Sequence, residues 1–217
     1  MLIYHSRITN ISSQIENTLI KDGLTVKFGG ATGEFNAMKF VSPQIDWIRW
    51  CDEFVEEFSN LDARIVRTQY TNQCDNYDSV INVLYMIKRI LHILEHMRGN
   101  LWLYINRDYF IQKNVKTEIG SSTMPQKINP IDLENAKTAI EMAKRMIDGV
   151  CDILTETSYQ RDISDSSALR NISSIFGYVL ITLKKITSGI VRLTPNIKKI
   201  KVKKYFSQIF ILLNSHR

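Results

Sequence analysis

Acidic side chains stop at Asp165: beyond it the chain holds ten lysines and arginines and no aspartate or glutamate. The residues up to Asp165 carry 18 basic against 22 acidic side chains, so the overall +6 comes from the end of the chain, above all from the run KKIKVKKYF. A solvated basic run binds polyanions without reading them, which argues against a sequence-specific nucleic-acid protein. Proline occurs four times and glycine nine times, so helix breakers are scarce and long uninterrupted elements are expected. The three cysteines, Cys51, Cys74 and Cys151, are odd in number and lack CxxC or Cys/His spacing. That excludes neither core nor surface thiols, but it argues against a disulfide frame or a structural metal site. No run of about 18 consecutive apolar residues is present to cross a membrane, and MLIYHSRITN lacks the basic segment, apolar run and cleavage site of a secretory signal. The expected setting is cytoplasmic, with no membrane partner.

What is present is helical periodicity. From Asp78 to Arg107 apolar residues recur at three- and four-residue spacing (Val80, Val83, Leu84, Ile87, Ile90, Leu91, Leu94, Met97), with Asp78 or Ser79 as N-cap. A second helix is expected from Pro130, with Asp132 and Glu134 in its positive first turn, running through Ala139, Met142, Ala143, Met146 and Val150 to about Leu154. A third is expected from near Ser166 to Leu193. At about 1.5 Å per residue these elements approach or exceed about 35 Å. Shorter helices are expected around Ile8–Leu24 and Ile45–Asn60, joined by the glycine-rich connection KFGGATGEFN. Strand-like alternation is scarce, so the expected class is all-α. Helices this long carry apolar faces that one small domain covers poorly, and a bundle shared with partner subunits is the economical solution.

Two constellations carry chemistry. The run GSSTMPQKINP (Gly120–Pro130) places hydroxyls, an ammonium and a carboxamide in one loop, the equipment for taking a proton from carbon beside a carboxylate. Serine is a poor base and needs surroundings that stabilise its alkoxide. On composition alone the same string also reads as a Gly-Ser connector before a proline-started helix. The second is QRDISDSSALRN (Gln160–Asn171), in which two arginines nine residues apart flank a hydroxyl-rich helix start. Guanidinium forks and hydroxyls at such a start suit a phosphate, and an N-capping box with surface arginines is the plainer alternative. His92 and His96 stand at i, i+4 without a nearby third ligand, so they read as helix histidines rather than a metal pair.

The GSSTMPQKINP string resembles the signature loop of the fumarase/aspartase superfamily, and the QRDxxDSxxLRN pattern resembles the block particular to its adenylosuccinate lyase family. GGATGEFNA (Gly29–Ala37) and YTNQ (Tyr70–Gln73) resemble two further family segments, with Gln73 standing 47 residues before Gly120. Where many relatives have histidine four residues after that glutamine, this chain has Tyr77. The resemblance implies an all-α long-helix bundle assembling into a homotetrameric core. It implies β-elimination of fumarate from adenylosuccinate to give AMP, and from the succinyl-carboxamide ribotide SAICAR to give AICAR. No metal or organic cofactor is implied. Ser121 matches the catalytic base. Gln73, Ser122, Lys127, Ile128, Asn129 and Asn135 match substrate contacts, as do Arg161 and Ser166, Ser167, Ala168, Leu169 and Arg170 of the second block.

The resemblance covers roughly Ser12 to Leu193. Residues 1–196 are expected to be the central helical domain, with the signature loop near 118–130, and 197–217 a divergent basic tail. The family's amino- and carboxy-terminal domains, including the loop whose histidine is the general acid, are expected to be absent, giving a truncated chain inactive alone. The rivals are another lyase of the superfamily and a non-catalytic helical oligomerisation module.

Overall fold

The computed structural model describes residues 1–113, 130–156 and 158–201. Its elements in chain order are α1 (Leu2–Asn17) with a π-helical turn (Thr18–Asp22), β1 (Leu24–Val26), α2 (Asn36–Val41), α3 (Trp47–Glu56), β2 (Ile65–Arg67), α4 (Asp78–Asn106), β3 (Phe110–Gln112), α5 (Ile131–Thr155), α6 (Ser164–Leu169), α7 (Ile172–Val191) and β4 (Leu193–Pro195). The chain divides into two units, Met1–Ile93 with Met142–Gly177, and Leu94–Glu141 with Tyr178–Arg217. The three long helices contribute residues to both.

In the first unit the helical periodicity of α4 buries Ile81, Leu84 and Leu91, while α5 buries Ala143, Ile147, Val150, Cys151 and Leu154. Met142 is exposed and Met146 half-buried, because the buried stripe of α5 runs through its alanines and isoleucines instead. Lys88 of α4 pairs with Asp148 of α5. The amino-terminal part carries a parallel pair, β1 with β2, in register Leu24↔Ile65 to Val26↔Arg67. Asp46 caps α3 by accepting from the Arg49 amide at 3.2 Å, and α3 lines up Trp50 and Phe54 as stacked rings 5.4 Å apart. Arg67, its side chain 5% exposed, pairs with Asp52 at 2.6 Å and lies over the Phe35 ring.

The second unit buries Leu94, Met97 and Leu101 of α4 with Leu133, Ala136 and Ile140 of α5 and Ile186 of α7. An antiparallel pair, β3 with β4, closes it in register Phe110↔Pro195 to Gln112↔Leu193. Gly189 is what lets α7 approach α5: a Cβ there would meet the Leu133 side chain at 2.8 Å. At that crossing Asp132 of α5 accepts from Lys185 at 3.0 Å and Ser188 at 2.7 Å and pairs with Arg192 at 3.4 Å.

Several expectations need correction. The third helix is two: the chain breaks at Arg170–Asn171, where the Asn171 amide donates to the Ala168 carbonyl at 3.0 Å before α7 begins. The first helix starts at Leu2 rather than Ile8, and α2 and the four short strands were not foreseen. Asp78 is already the first residue of α4, and the Ser79 hydroxyl accepts from the Thr25 amide at 2.9 Å. Taken together, α6 and α7 (Ser164–Val191) are long and apolar enough to cross a membrane by length and composition alone, although no 18 consecutive residues there are all apolar. Their apolar residues are largely uncovered in the single chain: Phe176, Leu180, Ile181, Leu183 and Val191 are exposed.

Candidate active site

The amino-terminal loops and the QRD block meet in the first unit, and glycine makes the first meeting possible. Gly33 sits at φ +83, and a Cβ on it would lie 2.5 Å from the Thr71 carbonyl oxygen. Only glycine tolerates both the conformation and the approach. The GGATGEF loop therefore rests on the YTNQ segment. Lys27 adds a second tie, its ammonium donating to the carbonyls of Gln73 and, at 3.3 Å, Ala31. Burial lowers the Lys27 pKa, partly countered by the nearby Cys74 thiol.

The Gln73 segment in turn touches the QRD block. Its amide donates to the Gln160 carbonyl at 3.2 Å. Four residues on, the Tyr77 hydroxyl donates to Asp165 Oδ2 at 2.8 Å. Asp165 Oδ1 accepts from the Arg161 guanidinium at 3.3 Å and from the Ser166 amide at 2.7 Å. Burial pushes the Asp165 carboxyl up, but the hydrogen bonds from Tyr77, Cys74, Ser166 and Arg161 outweigh it and hold the group below the usual carboxylate range. Burial, then the bond to Asp165, pushes the Tyr77 hydroxyl well above its ordinary value. Tyr77 is thus a neutral donor and Asp165 an anionic acceptor at neutral pH. A cleft of about 200 Å³ lies here, walled by Asn72, Cys74, Tyr77, Gln160, Arg161 and Asp165 among others.

Of the residues expected from sequence, Gln73 and Arg161 are brought to this place. Ser166 is half-buried with its hydroxyl on the Ile163 carbonyl at 3.1 Å, Ala168 is buried, Leu169 half-buried, and Ser167 and Arg170 are exposed. Asn135 lies on the exposed side of α5, in the second unit. Ser121, Ser122, Lys127, Ile128 and Asn129 lie outside the described residues. Sequence reasoning missed Asp165, Lys27 and Asp75, the last of which accepts from the Tyr77 amide at 2.9 Å. The i, i+4 spacing of Arg161 and Asp165 was a usable signal for the first; nothing local announces the other two. Among the described residues no group of three or more His, Cys, Asp and Glu side chains is placed to hold a metal ion.

Residues 2–146 match the family model described as lyase. The chain belongs to that lyase family. It is similar to the adenylosuccinate lyase of Dictyostelium discoideum, 37% identical over 196 residues that make up 90% of this chain and 41% of the relative. The adenylosuccinate lyase of Legionella pneumophila (strain Corby) is 35% identical over 85% of this chain and 38% of its own length. That of Escherichia coli (strain K12) is 34% identical over 78% of this chain and 36% of its own length. The chain therefore spans about two fifths of the length of the curated lyases it matches. Its helical fold is shared with 3-carboxy-cis,cis-muconate lactonizing enzyme from Pseudomonas putida, at TM-score 0.63 and 16% identity over 92% of this chain and 42% of that one.

Proposed function

We propose that the chain supplies part of the active site of an adenylosuccinate lyase, eliminating fumarate from adenylosuccinate to give AMP and from SAICAR to give AICAR. The observation that carries this reading is the convergence of the Gln73 segment and the Arg161 block around one buried carboxylate and one cleft. The relatives' names supply the reaction. In this reading Ser121 removes the proton beside the succinyl carboxylate. Lys127 and Asn129 hold that carboxylate as charge builds on it, which is where stabilisation specific to the transition state accelerates the step. Ser122, Ile128 and Asn135 complete the succinyl side. Arg161, Ser166 and Arg170 recognise the nucleotide's phosphate and neighbouring groups, with Ser167, Ala168 and Leu169 as further contacts of the same block. No residue of the chain is assigned the general-acid role in this reading. Residues 1–196 act as the central helical domain, and the uncovered face of α7 is buried against other copies in a homotetramer.

Binding of AMP and adenosine to the chain tests the phosphate assignment. Arg170→Lys should weaken AMP far more than adenosine, because a point charge does not reproduce a bidentate fork. Equal weakening of both removes Arg170 from phosphate recognition. In an assembly that turns adenylosuccinate over, Ser121→Ala should lower kcat by several orders of magnitude with substrate still bound; near-normal turnover moves the base elsewhere. A second reading, a non-catalytic oligomerisation module, is favoured by the exposed face of α7 alone. Assembly without any nucleotide binding would select it.

A further inference from the structure

Asp165 is a carboxylate with a side chain only 12% exposed, and an anion taken from water needs its oxygens satisfied. Local chemistry accounts for two donors, the amide of the next residue, Ser166, and the Arg161 guanidinium one turn ahead. Tyr77 is not local: it lies 88 residues away in sequence. Tyr77 is itself held under constraint. It sits at φ +60, a left-handed conformation that bulky residues adopt rarely and at a cost. Asp75 fixes that conformation by accepting the Tyr77 amide at 2.9 Å, and Asp75 is fixed in turn by the hydroxyls of Thr25 (3.1 Å) and Thr68. The tyrosine is pinned at its backbone by one carboxylate and at its hydroxyl by another. A cap for the short helix α6 would require none of this.

We propose that Asp165 is a positioning residue of the nucleotide site: through the Tyr77 hydroxyl it holds the segment carrying Gln73 against the block carrying Ser166 and Arg170, and it orients the Arg161 guanidinium within that block. The proposal rests on the reading of that block as the phosphate site. Asp165 faces Tyr77, Arg161 and its own helix start and is an acceptor only, so it contributes orientation rather than affinity of its own. One carboxylate makes two motifs far apart in sequence into one site. Tyr77 makes this lock depend on a neutral hydroxyl donor.

A double-mutant cycle on the full chain tests it, with Tyr77→Phe, Asp165→Asn and the pair, read by titration of AMP and of adenosine and by thermal unfolding. Each single change should weaken AMP by about tenfold, the worth of one hydrogen bond to a charged group. The pair should weaken AMP by little more than either alone, because both break the same lock. Adenosine should change less than AMP, and Tyr77→Phe, which keeps the ring in place, should leave the unfolding temperature nearly unchanged. Single changes that leave AMP binding within twofold, effects that multiply in the pair, or equal losses for AMP and adenosine that follow the loss of stability each overturn the proposal. Wild-type chain that binds adenosine and AMP equally overturns instead the phosphate reading on which it rests.

Discussion

Asp132 takes its partners from one stretch of chain: Lys185 and Ser188 lie on α7 and Arg192 just beyond its end. Asp165 takes its partners from three places, the stretch just after Gln73, the turn ahead of α6 and the Ser166 amide of α6 itself. Both carboxylates are buried, and in both burial is the largest influence, pushing the pKa up. In both the partners win and the group stays below its ordinary range. The means differ. Asp132 is balanced by a serine hydroxyl and two cations, so it fastens one helix to another. Asp165 is balanced mainly by neutral donors with one guanidinium, so it fixes directions more than it gathers charge. Losing Asp132 leaves two cations facing an empty crossing, whereas losing Asp165 leaves a site whose walls are no longer in register.

The comparison breaks first on stability. Asp132→Ala should cost about 3 kcal/mol in urea unfolding, the low end for a buried pair because Lys185 is 41% exposed. A loss below about 1 kcal/mol would make Asp132 an ordinary surface ion and end the contrast. The same crossing is probed next by Gly189→Ala, whose methyl would press on the buried Leu133 side chain at 2.8 Å. Overpacking of this kind costs about 1–3 kcal/mol. Gly99, also in a helix, has nothing within 4 Å of the added Cβ, so Gly99→Ala should instead stabilise by up to about 1 kcal/mol. If both glycines respond alike, close approach of α5 and α7 is not what Gly189 serves.

Acid titration sharpens the comparison further. Each aspartate has a folded pKa below its ordinary 3.8. Each therefore contributes stability that is complete above that value and is lost as pH falls through the folded pKa. Unfolding followed downward from pH 6 should be nearly flat until about pH 4 and then steepen. Asp132→Asn and Asp165→Asn should each flatten the acid limb. An unchanged limb in either variant would mean that its partners do not outweigh burial.

The helices at the heart of this arrangement were legible in the sequence to within a residue. α4 was expected at Asp78–Arg107 and found at Asp78–Asn106; α5 was expected at Pro130–Leu154 and found at Ile131–Thr155. Sustained 3.6-residue periodicity with a proline or acidic start leaves little choice. The break at Arg170–Asn171 was not legible, since apolar spacing continues across it without proline or glycine. Nor were the two strand pairs, whose three-residue strands, such as Leu24–Val26 and Ile65–Arg67, pair across long stretches of sequence. For the site, the motifs announced Gln73 and Arg161, but spacing along the chain carries no information that Tyr77 and Asp165 meet. Nothing in the residues around Asp165 points to a partner 88 residues away.

The smallest expected effect separates the two carboxylates by a chemical reporter. Cys51 and Cys151 are fully buried, and burial, with Asp148 and Asp152 nearby, pushes the Cys151 thiol up to about 11. Cys74 is half-buried and lies beside Asp165; burial first and that carboxylate second raise its pKa. Since the thiolate is the reacting form, iodoacetamide at pH 8 should modify Cys74 ahead of the other two, yet more slowly than a free thiol. Asp165→Asn removes the second cause and leaves the first, so alkylation of Cys74 should quicken by about two- to fivefold and its pH midpoint should fall. Asp132 is not among the groups acting on Cys74, so Asp132→Asn should leave that rate unchanged. Mass spectrometry of the modified peptides reads all three cysteines at once. A rate at Cys74 that responds equally to both substitutions would mean that it follows general loosening of the fold, and not the field of the carboxylate that joins the two motifs.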